Sequence, residues 1–288
     1  MKQVPSGPQP LQIRAMQAQE LARHIDWAAQ EGWNPGLHDA QAFHGADPQG
    51  FLLAELAGEP VGMVSAVRYG AHYGFIGFYI VRPDFRGRGH GMALWQAGMA
   101  RLSGRLVGLD GVVAQQANYR KSGFVLAHNN VRMQGAAHGQ GPLNSGIVPL
   151  AGLNRAALLQ YDTAVFPAER RAFLQAWISQ PGTVALGLLQ QSRLCGYGVV
   201  RPCRSGYKVG PLMADDDAAA RHLFNALVQQ VPEGAPVALD IAVGHDAAQA
   251  LARDWALQPV FETARMYTGA APALALHRQF GITSFELG

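Results

Sequence analysis

The densest chemistry in this chain lies in Arg82-Pro-Asp-Phe-Arg86-Gly87-Arg88-Gly89-His90-Gly91. Three glycines alternate between an apolar run at 75–81 and a second apolar segment at 92–102. Glycine tolerates φ > 0 and lets backbone come close to a ligand. N–H groups at the start of a helix face outward on the positive end of its dipole, which favours an anion. Arg86 and Arg88 add charge suited to a diphosphate, through charge-assisted hydrogen bonds. Gly-x-Gly-x-Gly alone is a weak signal that a plain tight turn also explains. The order strand, Val-Arg-Pro, Arg-Gly-x-Gly-x-Gly, helix is what favours an anion site. A dinucleotide fingerprint would need Gly-x-Gly-x-x-Gly after the first strand, and neither spacing nor position agrees.

The elements that must hold this loop are legible around it. Residues 51–56 and 61–69 read as strands joined by an Ala-Gly-Glu-Pro turn, and 75–81 as a third strand. In 92–102, Leu94, Gly98 and Leu102 recur at i, i+4 and i+8, the spacing of a buried helix. A strand follows at 106–113, then a short helix at 114–122 stopped by Gly123, and 125–133 is expected to close the unit as an edge strand. Residues 134–146 are Gly-rich, polar and nearly uncharged, as in a linker. Beyond them the plan recurs: helices at 154–166 and 170–179, strands at 183–189, 194–200 and 207–213, a helix at 217–231, a strand at 236–243, a helix at 247–255 and a strand at 261–267. The reading is a tandem duplication of one α/β module: a first domain over 1–135, a linker over 136–147 and a second domain over 148–288. The apolar tail 280–288 is expected to dock.

At 288 residues the chain has length for two domains, and 49% hydrophobic content excludes wholesale disorder. Charged residues make up only 15% and the net charge is +3, so a nucleic-acid-coating surface is not expected. No apolar run has the length of a membrane helix. The proline-bearing segment from Met1 to Pro10 lacks the apolar core of a signal peptide, which by default places the chain in the cytoplasm. Cys195 and Cys203 fit no disulfide scaffold or zinc spacing, and the ten histidines show no ligand pattern, so no metal is expected.

The loop and one later motif resemble the GNAT superfamily of acetyl-CoA-dependent N-acetyltransferases. Arg86, Gly89 and Gly91 match the three fixed positions of that family's pyrophosphate loop, Arg/Gln-x-x-Gly-x-Gly/Ala. Tyr119-Arg-Lys-Ser-Gly123-Phe124 matches its tyrosine before a Gly-Phe pair. The resemblance covers residues 11–135. It implies a mixed, mostly antiparallel central sheet flanked by helices, in each of two tandem modules. A splayed parallel strand pair, 75–81 and 106–113, would receive acetyl-CoA. Cofactor contacts would come from Ile80, Val81, Arg86, Gly87, Arg88, Gly89, His90, Gly91 and Asn118. A bulge at Gly77 would turn an N–H toward the thioester carbonyl, and Tyr119 would protonate the departing thiolate.

Two departures stand out. The strand 75–81 carries no acid to act as base, and Val112 stands where many members have asparagine, with Asn118, Gln115 or Gln116 as the candidates to replace its pantetheine contact. Glu31, His72 and Asp110 are the candidates to receive the amine's proton, with Asp110 also readable as a strand-end carboxylate bonded to backbone. Trp33 would wall the acceptor pocket or merely anchor its loop, and Tyr69, His72 and Tyr73 would line the entrance. The second module has Asp215-Asp216-Asp217 where the phosphate loop belongs, so only the first is expected to be catalytic, with a small-molecule amine or amino-acid-like acceptor. The rivals are a non-catalytic acyl-CoA sensor and a protein or peptide N-acetyltransferase.

Overall fold

The computed structural model describes residues 10–288; the leader expectation rests mostly on residues 1–9, outside the described residues. The first half runs Gln12–Ala15 (β1), Ala18–His24 (α1), Asp26–Gln30 (α2), Asp39–Ala46 (α3), Phe51–Leu56 (β2), Glu59–Tyr69 (β3), Tyr73–Val81 (β4), His90–Arg101 (α4), Leu106–Val112 (β5), Gln116–Lys121 (α5) and Val125–Ala136 (β6). The second runs Ile147–Pro149 (β7), Arg155–Thr163 (α6), Arg171–Trp177 (α7), Val184–Gln190 (β8), Arg193–Pro202 (β9), Tyr207–Ala214 (β10), Asp217–Val228 (α8), Pro236–Ala242 (β11), Asp246–Asp254 (α9), Gln258–Tyr267 (β12) and Gln279–Gly281 (β13). No described helix is long and apolar enough to cross a membrane.

One continuous sheet joins the halves in the order β1-β2-β3-β4-β5-β12-β6-β11-β10-β9-β8-β7. The order is nearly palindromic, and its centre is an exchange. One late strand of each half leaves its own module: β12 pairs with β5, and β6 pairs with β11. The two exchanged strands also pair antiparallel with each other along their length. The expectation that 125–133 would be an edge strand is therefore corrected. That segment is central, because its outer ladder is satisfied by β11 of the other half. Only the start of the Gly-rich segment is corrected, and the rest, though irregular, is tied down. Gln134–Ala136 belong to β6, Ala137 is buried and donates its N–H to the Ala235 carbonyl (2.8 Å), and the Gln140 N–H meets Asn225 Oδ1 (2.6 Å).

Each exchanged strand carries an arginine that forks onto an aspartate of the half it joins. Arg265 of β12 grips Asp110 of β5 at 2.7 and 2.6 Å, and Arg132 of β6 grips Asp240 of β11 at 2.6 and 2.8 Å. All four side chains are nearly inaccessible. Burial raises Asp240's proton affinity, but the Arg132 guanidinium, helped by Lys208 and Arg201, holds its carboxyl below the usual range. Buried ion pairs gain little net stability, yet leaving either partner alone is costly, so they fix register.

The expected helical stripe is borne out: Leu94, Gly98 and Leu102 are buried against the sheet. Gly98 matters by its size, since a Cβ there would sit 3.2 Å from the Ile76 side chain and 3.4 Å from Val64. The tail docks as expected. Residues 280–288 are buried, and Arg170, itself forked onto Asp162, donates to the Thr283 hydroxyl (2.9 Å) and the Gly288 carbonyl (3.0 Å).

Candidate active site

Strands β4 and β5 are parallel partners only from Tyr73–Leu106 to Phe75–Gly108. Beyond that they separate, and a cleft of about 600 Å³ opens between them. Its near walls are Ile76–Val81 of β4 and Leu109–Val112 of β5; the phosphate-type loop closes one end. The register of β3 against β4 slips between Ser65–Gly77 and Met63–Ile80, so two β4 residues, Phe78 and Tyr79, face one of β3. The bulge centres on Phe78, whose φ is +44°. Such a conformation in a bulky residue costs about 1–3 kcal/mol and persists only where its surroundings impose it. Gly77 itself keeps register, which corrects the expected bulge position. It must be glycine because a Cβ would collide with the Glu286 carbonyl of the tail.

In the loop, Gly87 and Gly89 take φ of +75° and +84°, and Gly89 caps α4. Both have open space where a Cβ would project. Gly91 also lines the cleft but is helical rather than left-handed, and its missing Cβ makes room for the Tyr79 hydroxyl. Arg86 lines the cleft, donating Nε to the Val81 carbonyl (2.7 Å) and pairing with Glu31. Ile80 and Val81 also line it, as expected. Arg88 and His90 do not; the Arg88 guanidinium lies 5.5 Å from the Phe85 ring and the His90 ring 6.4 Å from it, so their side chains point away. Of the three candidates for the pantetheine contact, Asn118 does not line the cleft. It is exposed and donates to Gln115 Oε1 (2.6 Å), and Gln115 is the residue that reaches the cleft.

Tyr119 stands in the cleft for local reasons. Helix α5 ends at Gly123, with φ +87°, and the Phe124 N–H returns to the Tyr119 carbonyl (3.1 Å), a Schellman-type stop. The buried Phe124 ring then packs on Trp95, which in turn lies 5.7 Å from the Tyr119 ring. Gly111 on β5 leaves the space that the Tyr119 ring fills. Burial, with Tyr79 nearby, pushes the Tyr119 hydroxyl up to about 12, so it remains protonated at neutral pH.

The expected bases fare differently. Glu31 lines the cleft but is engaged by Arg86 at the phosphate end. Asp110 also lines it, yet Arg265 takes both oxygens and Asn130 Nδ2 donates to one (2.8 Å); its partners are side chains, not backbone. His72 is exposed in the β3–β4 turn, at the opposite end of β4 from the loop, and is removed from the site. Tyr69 and Tyr73 are buried against Phe166, away from any entrance, and Tyr69 donates to the Leu287 carbonyl (3.1 Å). Trp33 does wall the cleft, while its carbonyl accepts from Arg132 (2.8 Å) and Lys208 (3.1 Å).

The far wall was not legible in the sequence. Arg132, Phe261, Thr263, Phe285 and Glu286 come from the exchanged strands and the tail. The strand exchange and the docking of the tail, whose target no local pattern announces, bring them to the cleft that Tyr119 lines. Tyr79 was also missed, although its place on the strand before the loop was the available signal. In the second half the equivalent splay is occupied. β10 and β11 are parallel partners from Tyr207–Val237 to Val209–Leu239, and then β13 pairs with β10 and the Ile282 N–H meets the Asp240 carbonyl (2.7 Å).

A model of the acetyltransferase (GNAT) family matches residues 18–124, and one of an acetyltransferase (GNAT) domain matches residues 158–281. The holothin acyltransferase of Pseudoalteromonas sp. (strain SANK 73390) is 32% identical over 263 residues, covering 91% of this chain and 90% of that protein. A solved structure from Pyrococcus horikoshii superposes with a TM-score of 0.84 at 20% identity, covering 100% of this chain and 99% of that one. A tandem GNAT protein from the clavulanic acid biosynthesis pathway gives a TM-score of 0.62 at 15% identity, over 91% of this chain and 100% of its own. These structures share the fold. Two family matches in succession, and a full-length acyltransferase relative, show that this chain is an acyltransferase enzyme belonging to the GNAT family, with two such domains in tandem.

Proposed function

We propose that the first half binds acetyl-CoA in the β4/β5 cleft and transfers its acetyl group to the primary amine of a small acceptor, by direct attack in a ternary complex. The observation that carries this reading is one cleft with Arg86, Gly87 and Gly89 at one end and the Tyr119 hydroxyl further in. The diphosphate would replace Glu31 on Arg86 and meet the N–H groups at the start of α4. The amine nitrogen bonds to the thioester carbon, the bulge at Phe78–Tyr79 offers an N–H to the oxyanion, and the C–S bond breaks as Tyr119 protonates the thiolate. The hydroxyl regains its proton from the new amide nitrogen.

The relative named for holothin supports the reaction class, and the wall supplied by the second half favours a small acceptor over a protein groove. A cytoplasmic setting accords with Cys195 and Cys203 being unpaired and buried. The second half, with β13 across its splay, is proposed to shape the acceptor side and bind no acyl-CoA. Calorimetry with acetyl-CoA should give one site per chain, weakened by Arg86→Ala and more severely by Gly89→Val. Two equivalent sites, or unchanged affinity in folded Gly89→Val protein, would overturn the assignment. Turnover of free amines but not peptides should separate the acceptor classes.

A further inference from the structure

Resting on the N-acyl transfer proposed above, the geometry points to Glu286 as the base that takes the acceptor's proton, and to a primary amine on a flat apolar body without a carboxylate as the acceptor. Glu286 lines the cleft although its residue is only 4% exposed. Its backbone is fixed beside the bulge: the carbonyl fills the space left by Gly77 and accepts from the Ser65 hydroxyl (3.5 Å). Ser284 donates its hydroxyl to Oε2 (2.7 Å) and also accepts from the Glu286 and Leu287 N–H groups, which holds the carboxylate in place. Among the described residues no donor reaches Oε1 and no ion pair engages the group.

The other acids of the cleft are committed, Glu31 to Arg86 and Asp110 to Arg265. The charges acting on Glu286 from neighbouring elements are Arg132 of β6, Arg201 of β9 and Lys208 of β10. Arg132 is matched by Asp240, Arg201 by Asp39 at 2.8 Å, and Lys208 donates to the Trp33 carbonyl. Each of these three cations thus has its own acceptor, and none pairs with the Glu286 carboxylate.

The same wall defines the acceptor. Trp33 and Phe78 stand 6.5 Å apart, and Phe261 and Phe285 6.3 Å apart, all lining the cleft. The Arg132 guanidinium already lies 5.6 and 5.2 Å from the Phe261 and Phe285 ring centres, so these rings offer apolar packing to a flat body while the carboxylate takes the ammonium group. Of the arginines that line the cleft, Arg132 has its fork on Asp240 and its remaining nitrogen on the Trp33 carbonyl, and Arg86 stands at the phosphate end, so neither is offered to an α-carboxylate on the acceptor side. The ammonium gives one proton to Oε1 and the free amine then attacks. The nitrogen's second proton restores Tyr119, and Glu286 releases its proton to water, for a net release of one.

The probe is 2-phenylethylamine with acetyl-CoA, against phenylalanine as the carboxylate-bearing counterpart. The wild type should acetylate the amine and not the amino acid. E286Q should bind acetyl-CoA with unchanged affinity and lose about 10²–10⁴-fold in kcat. Its activity should rise with pH toward the amine's own ionisation, with the wild-type acidic limb gone. E286D, which keeps the carboxylate but withdraws it, should retain that limb at reduced kcat, and it carries the test if E286Q does not fold. An unchanged kcat in either variant overturns the role, as does a change in KM alone with the limb intact. Wild-type turnover of phenylalanine, or of neither probe while acetyl-CoA binds through Arg86, overturns the acceptor class. Failure of acetyl-CoA to bind at all instead overturns the function on which the inference rests.

Discussion

Tyr119 is placed by residues that lack side chains: Gly123 ends its helix and Gly111 makes room for its ring. Tyr119→Phe keeps the ring packed on Trp95 and removes only the hydroxyl. We expect kcat to fall about 10- to 1000-fold with acetyl-CoA affinity unchanged, measured where chemistry limits turnover. Because burial lifts this hydroxyl to about 12, its proton is lost only as the pH climbs through that region. A pH–rate profile should therefore show no alkaline fall from Tyr119 below pH ~11. An equal kcat in Tyr119→Phe would reduce the residue to packing. Legibility at this scale followed sequence locality. Arg86, Gly89 and Tyr119 belong to short motifs and reach the cleft, whereas Arg88, His90 and Asn118 share those motifs and turn outward. Periodicity does not say which side of a loop faces a ligand. Glu286 lay in a tail whose docking was foreseen, but nothing local tied its carboxylate to a strand two hundred residues earlier.

At the scale of elements, nearly every strand and helix from 51 onward was legible, because turns rich in glycine separate runs with clear periods. What could not be read was the pairing of β6 and β12. Neither strand carries a local pattern that names its partner: each is exposed at its start and becomes buried further along. The Asp110–Arg265 and Asp240–Arg132 forks make the exchange specific. They occupy equivalent positions in the two halves, and each bridges a strand of one half to the strand it receives from the other. Arg265→Met alone leaves Asp110 buried and unmatched, which should cost about 3–5 kcal/mol in chemical denaturation. The paired change Asp110→Leu with Arg265→Met should be far milder, because no charge is left behind. Equal losses in the single and paired variants would show that packing, not charge matching, holds this seam.

For the whole molecule, the exchange makes the two halves one folding unit despite the tandem order of their sequences. Residues 1–135 alone would lack β12 between β5 and β6, and the tail that lines the acceptor side. We expect that fragment to be unfolded or aggregated by circular dichroism and sedimentation. Residues 1–140 and 141–288, produced together, should assemble and recover acyl transfer, since the link between them mainly raises local concentration. A soluble, active 1–135 fragment would contradict this account. The exchange also sets an order of events during synthesis. When β6 leaves the ribosome, neither of its sheet neighbours, β12 and β11, has yet been made, so both of its edges are bare. The cleft that Tyr119 lines cannot be completed until β12 and then residues 280–288 have emerged, so the nascent first half waits for them with unpaired strand edges.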